Sequence, residues 1–540
     1  MHVGRAVVDW LAANGVEVVF GIPGKQTLPL NEAIDGREDV RFVVARHETA
    51  VTHQAWGYAE TSGELAATLV VPGPGDMNAM NGLKNAYNDC TPMLHLSVET
   101  DPEIRGGDGI HETPPDTYDN VVKENVLVET AESTLVELQR AVGIARSPPK
   151  GPVRVGIPKG FLADDVPLAD PGGYEPASRH PPSDEELGAA VDLLAGAGAP
   201  VVLAGGGVRA SDATDALVAV AERLEAPVVT TYKGKGTFPE DHRLFAGVLS
   251  GSASPELLDC IADSDAALGV GTDLDAVATR SWSVEVPDRL VHVTLDPSDV
   301  GTGYAPSVGI VADARETLLG LADRLDPGDR DPDDRAVAVR AGTDERLAPL
   351  RDREPFTSVG ALSVLADVVP DDAVVAADAG GFRVWSLNAF PANGPRSYVT
   401  PGSWATMGTG LPSGIGARLA SEEDVVVLTG DGGLLMCLHE LHTAVAEELP
   451  LVVVVLDNSD YAIISEEAER AYGLDEGYGW GGAPIDFVRV AEGLGMAATR
   501  AETPEAVRTA VSEALGADRP TLVQVPTDPE EPQASEWMRE

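Results

Sequence analysis

The chain has 540 residues, 43% of them hydrophobic, which rules out global disorder and is too long for a single core. Its 87 acidic against 38 basic side chains leave a formal charge of −49. That excludes nucleic acid and anionic membranes as natural partners, because each phosphate is repelled at long range.

The acidic residues are spread over the whole sequence, as on a surface adapted to high salt, where counterions screen the self-repulsion. Cys90, Cys260 and Cys437 are far apart and odd in number, so no disulfide framework or CxxC metal site is readable, and a reducing cytoplasm is expected. The opening MHVGRAVVDWLAANGVEVVFG carries charge too often for a signal peptide. No stretch approaches about 18 uncharged apolar residues, so no membrane span is expected.

In chain order, the first β-branched run is RFVVAR (41–46), followed by a helical stretch ETAVTHQAWGYAE from Glu48. DDVPLADPGGYEPASRHPPSD (164–184) has linker composition. Strand-like PVVLAGGG (200–207) and LVHVTLD (290–296) follow, then a second charged, Pro/Gly-punctuated stretch over 326–353. VVVLTGDG (425–432) and LVVVVLDN (451–458) are the last clear strands. Continuous apolar strands bounded by Gly or Asp and alternating with helices predict parallel sheets covered on both faces. The expectation is three doubly wound α/β domains, at 1–163, 185–325 and 355–530.

The chemistry concentrates in the third block. A buried strand ends in Gly430-Asp431-Gly432, a helix follows, and a second strand ends in Asp457-Asn458. In a right-handed βαβ unit both strand ends emerge at one sheet edge, so Asp431 and Asn458 converge across 27 positions. A carboxylate, an amide oxygen and a nearby carbonyl are hard ligands suited to Mg²⁺, and a glycine-opened helix start aims free N–H groups at an anion. A lone GDG is an ordinary turn signal. Strand–GDG–helix–strand–DN at this spacing is far more specific.

These motifs resemble the thiamine diphosphate enzymes of acetolactate synthase and 2-oxoacid decarboxylase type. VVFGIPG (18–24), ARHETAVTHQAWGYAETSG (45–63) and VVPGPGDMNAMNGLKNAYNDCTPMLHLS (70–97) are similar to the family's pyrimidine-binding domain. GGGV (205–208), VVTTYKGKGTFPEDH (228–242) and LDPSDVG (295–301) are similar to its middle domain. GSWATMGTGLPSGIGA (402–417) and the GDG segment are similar to its diphosphate-binding domain.

The resemblance implies roles. Glu48 matches the glutamate that hydrogen-bonds the cofactor's aminopyrimidine and relays its proton; on its own it is an ordinary carboxylate at a helix start. Met407 matches the apolar residue that folds the cofactor; on its own it is core filler. Asp431 and Asn458 match the side-chain Mg²⁺ ligands, and Asp460 a main-chain one. Gly381, Phe382, Gly432 and Gly433 lie where the family binds the diphosphate. The family's site lies between subunits, so a homodimer or homotetramer is implied.

Three positions depart from the acetolactate synthase pattern: Ile110-His111-Glu112 for Phe-Gln-Glu, Gly380-Gly381-Phe382 for Gly-Gln-His, and Tyr461-Ala462-Ile463-Ile464 for the usual Gly-Tyr-Gly. They leave ligation of two carbonyls and simple decarboxylation of a 2-oxoacid as competing activities. A non-catalytic homologue is disfavoured by the intact Glu48, Asp431 and Asn458. His111 is a candidate for proton shuttling or substrate binding, or is a plain loop histidine. Lys25 is a candidate anchor for a substrate carboxylate, or one of few surface lysines. Some relatives hold FAD or ADP at the position of Gly205-Gly206-Gly207, while a lone GGG is equally ordinary close packing. An FAD-dependent oxidase is therefore the third alternative.

Overall fold

The structure is a computed structural model that describes residues 2–107, 111–172, 179–326, 333–474, 477–480 and 482–539. Its first sheet contains β1 (Val18–Gly21), β2 (Arg41–Val44), β3 (Ala66–Val70), β4 (Met93–Glu99), β5 (Glu124–Leu127) and β6 (Pro152–Pro158). The second contains β7 (Pro200–Ala204), β8 (Val228–Thr231), β9 (Phe245–Leu249), β10 (Ala266–Val270), β11 (Leu290–Thr294) and β12 (Val308–Val311). The third contains β13 (Val374–Ala377), β14 (Tyr398–Val399), β15 (Val425–Gly430), β16 (Val452–Asp457), β17 (Ala497–Arg500) and β18 (Thr521–Pro526).

The expected class, three doubly wound parallel α/β sheets, is what the chain adopts. The first and third sheets share one topology, β2-β1-β3-β4-β6-β5 and β14-β13-β15-β16-β18-β17. The middle sheet runs β12-β11-β10-β7-β8-β9, the dinucleotide-binding order with its switch point between β7 and β10. Burial on both faces explains the valine runs: every residue of β16 is buried, and so are Val425–Leu428 of β15.

The second charged stretch is not simply a linker. Arg335–Arg351 forms a 17-residue helix whose Ala336, Val339, Leu347 and Leu350 are buried. Its arginines tie it to the middle sheet's layer, Arg346 pairing with Glu256 at 2.9 Å. The acidic, Pro-punctuated start hid an apolar stripe at helical spacing. Part of each expected linker, 173–178 and 327–332, lies outside the described residues.

One helix pair sets how the first and third domains meet. The helix Glu48–Ser62 is buried over nearly its whole length, an arrangement that requires packing on all sides. It crosses the helix Gly410–Ala420 so closely that a Cβ on Gly416 would lie 1.9 Å from the Gln54 carbonyl oxygen. A Cβ on Gly57 would lie 2.3 Å from the Ser413 carbonyl oxygen. Glu440 adds a polar tie, accepting from the Arg46 N–H at 2.9 Å and from Gln54 Nε2 at 3.0 Å. The connection between β15 and β16, expected as one helix, is two, Asp431–Cys437 and Glu440–Ala446.

Candidate active site

The parallel register of β15 and β16, with Gly430 opposite Leu456, brings the GDG and DN segments to one sheet edge, as their spacing predicts. Asp431 is 4% exposed and its Oδ2 has no hydrogen-bond partner among the described residues. Its Oδ1 accepts from the adjacent Gly432 N–H at 2.8 Å. Burial first, then the neighbouring Asp457 carboxylate, push Asp431 up to about 8. Two crowded carboxylates with an orphaned oxygen fit a divalent cation, which would relieve their repulsion and fill the open lone pair. Asn458 lies on the same edge; its Oδ1 accepts from the Asp460 N–H at 3.2 Å and keeps one lone pair free.

The glycine cradle beside this pair is tightly lined. A Cβ on Gly432 would meet the Tyr461 ring at 2.5 Å and the Met407 methyl at 3.4 Å. On Gly433 it would meet Asp378 Oδ2 at 2.5 Å. Gly381 opens the helix Gly381–Ala389, with Ile463 and Gln533 against it, and buried Phe382 packs on Gly430. Met407, Gly432, Gly433, Gly381, Phe382, Asp431, Asn458 and Asp460 thus gather around the ends of β13, β15 and β16.

Asp378 organises the cradle and was not singled out from the sequence. It is fully buried at the end of β13 and accepts from Ala379 N–H (2.8 Å), Thr409 N–H (3.1 Å), Gly408 N–H (3.2 Å) and Thr429 Oγ1 (3.0 Å). Burial holds it up at about 6 against these four donors. Gly408 has φ +82°, so the loop that carries Met407 needs glycine there. The sequence signal was an Asp closing a strand just before glycines, ADAGG (377–381).

Glu48, His111 and Lys25 group elsewhere, around the turn after β3. Half-buried Glu48 accepts from Asn78 Nδ2 at 3.0 Å and lies 3.6 Å from where a Gly75 Cβ would sit. Gly73, at φ +63°, lets His111 pack directly on the turn; a Cβ there would lie 2.7 Å from the His111 carbonyl oxygen. His111 is exposed, itself at φ +66°, and the preceding Ile110 lies outside the described residues. Lys25 is exposed, on a loop whose Gly24 abuts Val71. Among the described residues no hydrogen bond joins Glu48, His111 or Lys25 to the Asp431 cluster of the same chain.

A separate cavity of about 730 Å³ lies at the middle sheet's switch point. Gly206 and Gly207 line it beside Asp273, Asp299 and Lys150. A Cβ on Gly207 would lie 2.7 Å from the Gly271 Cα, so close packing of two loops also explains that glycine.

The fold thus places a buried carboxylate pair, Asp431 and Asp457, beside a glycine cradle at the edge of a parallel sheet, where α/β folds bind their ligands. Comparison with known proteins gives the family. Residues 1–120 match the N-terminal TPP binding domain of thiamine pyrophosphate enzymes, 187–321 their central domain and 378–525 their C-terminal TPP binding domain. The chain is 34% identical to a probable 2-ketoarginine decarboxylase of Pseudomonas aeruginosa, over 97% of this chain and 93% of that one. It is 29% identical to a probable acetolactate synthase large subunit of Methanococcus aeolicus, over 98% of this chain and 92% of that one. The solved 4-hydroxybenzoylformate decarboxylase of Rhodococcus jostii superposes with a TM-score of 0.85 at 28% identity, covering 98% of this chain and 99% of that one. The chain belongs to the thiamine pyrophosphate enzymes of acetolactate synthase and 2-oxoacid decarboxylase type. No helix among the described residues is long and apolar enough to cross a membrane.

Proposed function

We propose that this enzyme uses thiamine diphosphate and Mg²⁺ to decarboxylate a 2-oxoacid and release the aldehyde. The observation that carries this is the orphaned Asp431 oxygen beside Asp457 at the mouth of the Gly432–Gly433 cradle. Asp431, Asn458 and the Asp460 carbonyl would hold the metal, and the N–H groups around Gly381, Phe382, Gly432 and Gly433 the diphosphate. Bound thiamine diphosphate supplies a carbon nucleophile and an electron sink. The protein's part is positioning and proton control. Met407, packed on Gly432, would stand against the cofactor; Glu48 would hold and return a proton at its carboxylate; His111 and Lys25 would serve the acid or its product.

In this reading Glu48 of one copy serves the Asp431 cluster of another, in a homodimer or homotetramer, because one chain leaves the two groups unjoined. The formal net charge of −49 supports a working environment of high salt, and the three widely spaced free cysteines support a reducing cytoplasm. The switch-point cavity, with dinucleotide-binding strand order, supports an adenine nucleotide there, ADP or FAD, in a structural role. Yellow protein with peroxide formation would instead mark an oxidase.

The second reading is transfer of the acyl unit to another carbonyl, favoured by the acetolactate synthase relatives. Product analysis separates the two. Pyruvate, aryl, branched and guanidino 2-oxoacids, supplied with Mg²⁺ and cofactor in molar KCl, should yield aldehydes. A hydroxyketone as main product would replace this reading with the ligase.

A further inference from the structure

A second cavity, of about 350 Å³, lies where the middle domain, the third domain and the C-terminal segment meet. Ile463 and Gln533 stand in its wall and also lie 3.4 Å and 3.7 Å from where a Gly381 Cβ would sit. The cavity therefore adjoins the cofactor cradle.

Its charges are unevenly matched. Arg470 pairs with Glu467 and, at 2.9 Å, with Glu536. Glu466 lies beside Glu536, and burial and that neighbour push it up to about 7. Arg383, two residues beyond Gly381, has no such arrangement. No carboxylate among the described residues pairs with it, its Nε is buried without a hydrogen-bond partner, and its guanidinium lies 5.6 Å from the Tyr232 ring centroid. Buried Arg154 and Arg209 are paired, with Asp76 at 2.9 Å and Glu60 at 2.7 Å, while half-buried Arg280 and Arg340 at least donate to main-chain carbonyls. In a chain with 87 acidic side chains, a cation left unpaired on a cavity wall is a vacancy for an anion from outside the chain.

Which anion follows from the reaction. Loss of CO₂ disperses the negative charge of the departing carboxylate. A guanidinium clamped on that group would favour the ground state over the transition state and slow the step. A second carboxylate, remote from the bond that breaks, carries its charge unchanged and suffers no such penalty.

We propose that Arg383 is a specificity-determining residue that holds the distal carboxylate of a dicarboxylic 2-oxoacid in the cavity lined by Tyr232, Ile463 and Gln533. This rests on the reading of the enzyme as a 2-oxoacid decarboxylase.

The test uses the full-length holoenzyme in molar KCl, with 2-oxoglutarate, a neutral 2-oxoacid of similar length, and 2-ketoarginine. Calorimetric binding of glutarate, an unreactive dicarboxylate, is measured in parallel. The expected result is a kcat/KM preference for 2-oxoglutarate of about tenfold or more. Arg383→Met should remove that preference mainly through KM, weaken glutarate by about 30-fold or more, and Arg383→Lys should restore part of both. Thiamine diphosphate affinity of each variant reports that the cradle has folded. A preference for the neutral or cationic acid, or glutarate binding that survives Arg383→Met, overturns the proposal and leaves the decarboxylase reading standing. Absence of CO₂ release from every acid overturns the parent reading, and the glutarate titration then still decides whether Arg383 binds a dicarboxylate.

Discussion

Glu60 of the helix Glu48–Ser62 accepts a hydrogen bond from Arg209 of the middle domain at 2.7 Å, in an interior where both are buried. Lys233 lies 3.6 Å from the same oxygen, Thr91 donates to the other, and Arg396 of the third domain donates to the Glu60 carbonyl at 3.0 Å. One residue thus ties three domains. Burial alone would raise its carboxyl, but Lys233 and Arg209 outweigh burial and hold it down at about 2. A carboxylate depressed in the folded state contributes stability above its unfolded pKa of about 4.5 that is lost as pH falls toward about 2. Thermal melts from pH 6 to pH 3 in constant molar KCl should show that loss. Glu60→Gln should be less stable at pH 6, by about 3–5 kcal/mol, and its melts should depend less on pH.

Burial and the neighbouring Asp457 make an ionised Asp431 costly when no metal is bound. Asp431→Asn should therefore stabilise the cofactor-free protein, by about 1–3 kcal/mol. The same change should abolish the stabilisation that Mg²⁺ with thiamine diphosphate gives wild type, about 2.7 kcal/mol at a hundredfold excess over Kd. Differential scanning calorimetry with and without both ligands reads the two effects together. A variant that is less stable when apo yet still responds to the ligands would contradict the assignment.

Gly416 sets the distance between the first and third domains, because a Cβ would meet the Gln54 carbonyl oxygen at 1.9 Å. Gly416→Ala should cost about 1–3 kcal/mol by forcing the helices apart. The same substitution at Gly188, which has open space around its Cβ position, should be neutral or slightly stabilising. Denaturant midpoints of the two variants make the comparison.

Asp378 satisfies four donors at the base of the cradle. Asp378→Ala leaves them unpaired in the interior and should cost about 2–4 kcal/mol, with weaker thiamine diphosphate binding. Equilibrium unfolding and a cofactor titration measure the two separately.

Much of the site was legible because its chemistry is local in sequence. Asp431 sits inside the glycines that open its helix, and Asn458 closes the next strand, so strand topology alone brings them to one edge. What was not legible is held by tertiary contacts. Asp378 reads as one more strand-end acid until Gly408, Thr409 and Thr429 fold onto it. Asp457 gains its role only beside a buried Asp431. Arg383 stands out only once the carboxylates around its cavity are seen to pair with Arg470 or with each other. The helix Arg335–Arg351 was missed because the Pro and Asp residues before it dominate the composition, while its four apolar positions gain their meaning only once buried between the middle and third domains.

The most direct test of the account is CO₂ release from a panel of 2-oxoacids in molar KCl, with thiamine diphosphate and Mg²⁺ each present or withheld, for wild type and Glu48→Gln. Release should require both additions and fall by about 100-fold or more in the variant, as expected for loss of a proton-transfer group. Turnover that proceeds without thiamine diphosphate, or that Glu48→Gln leaves undiminished, would contradict it.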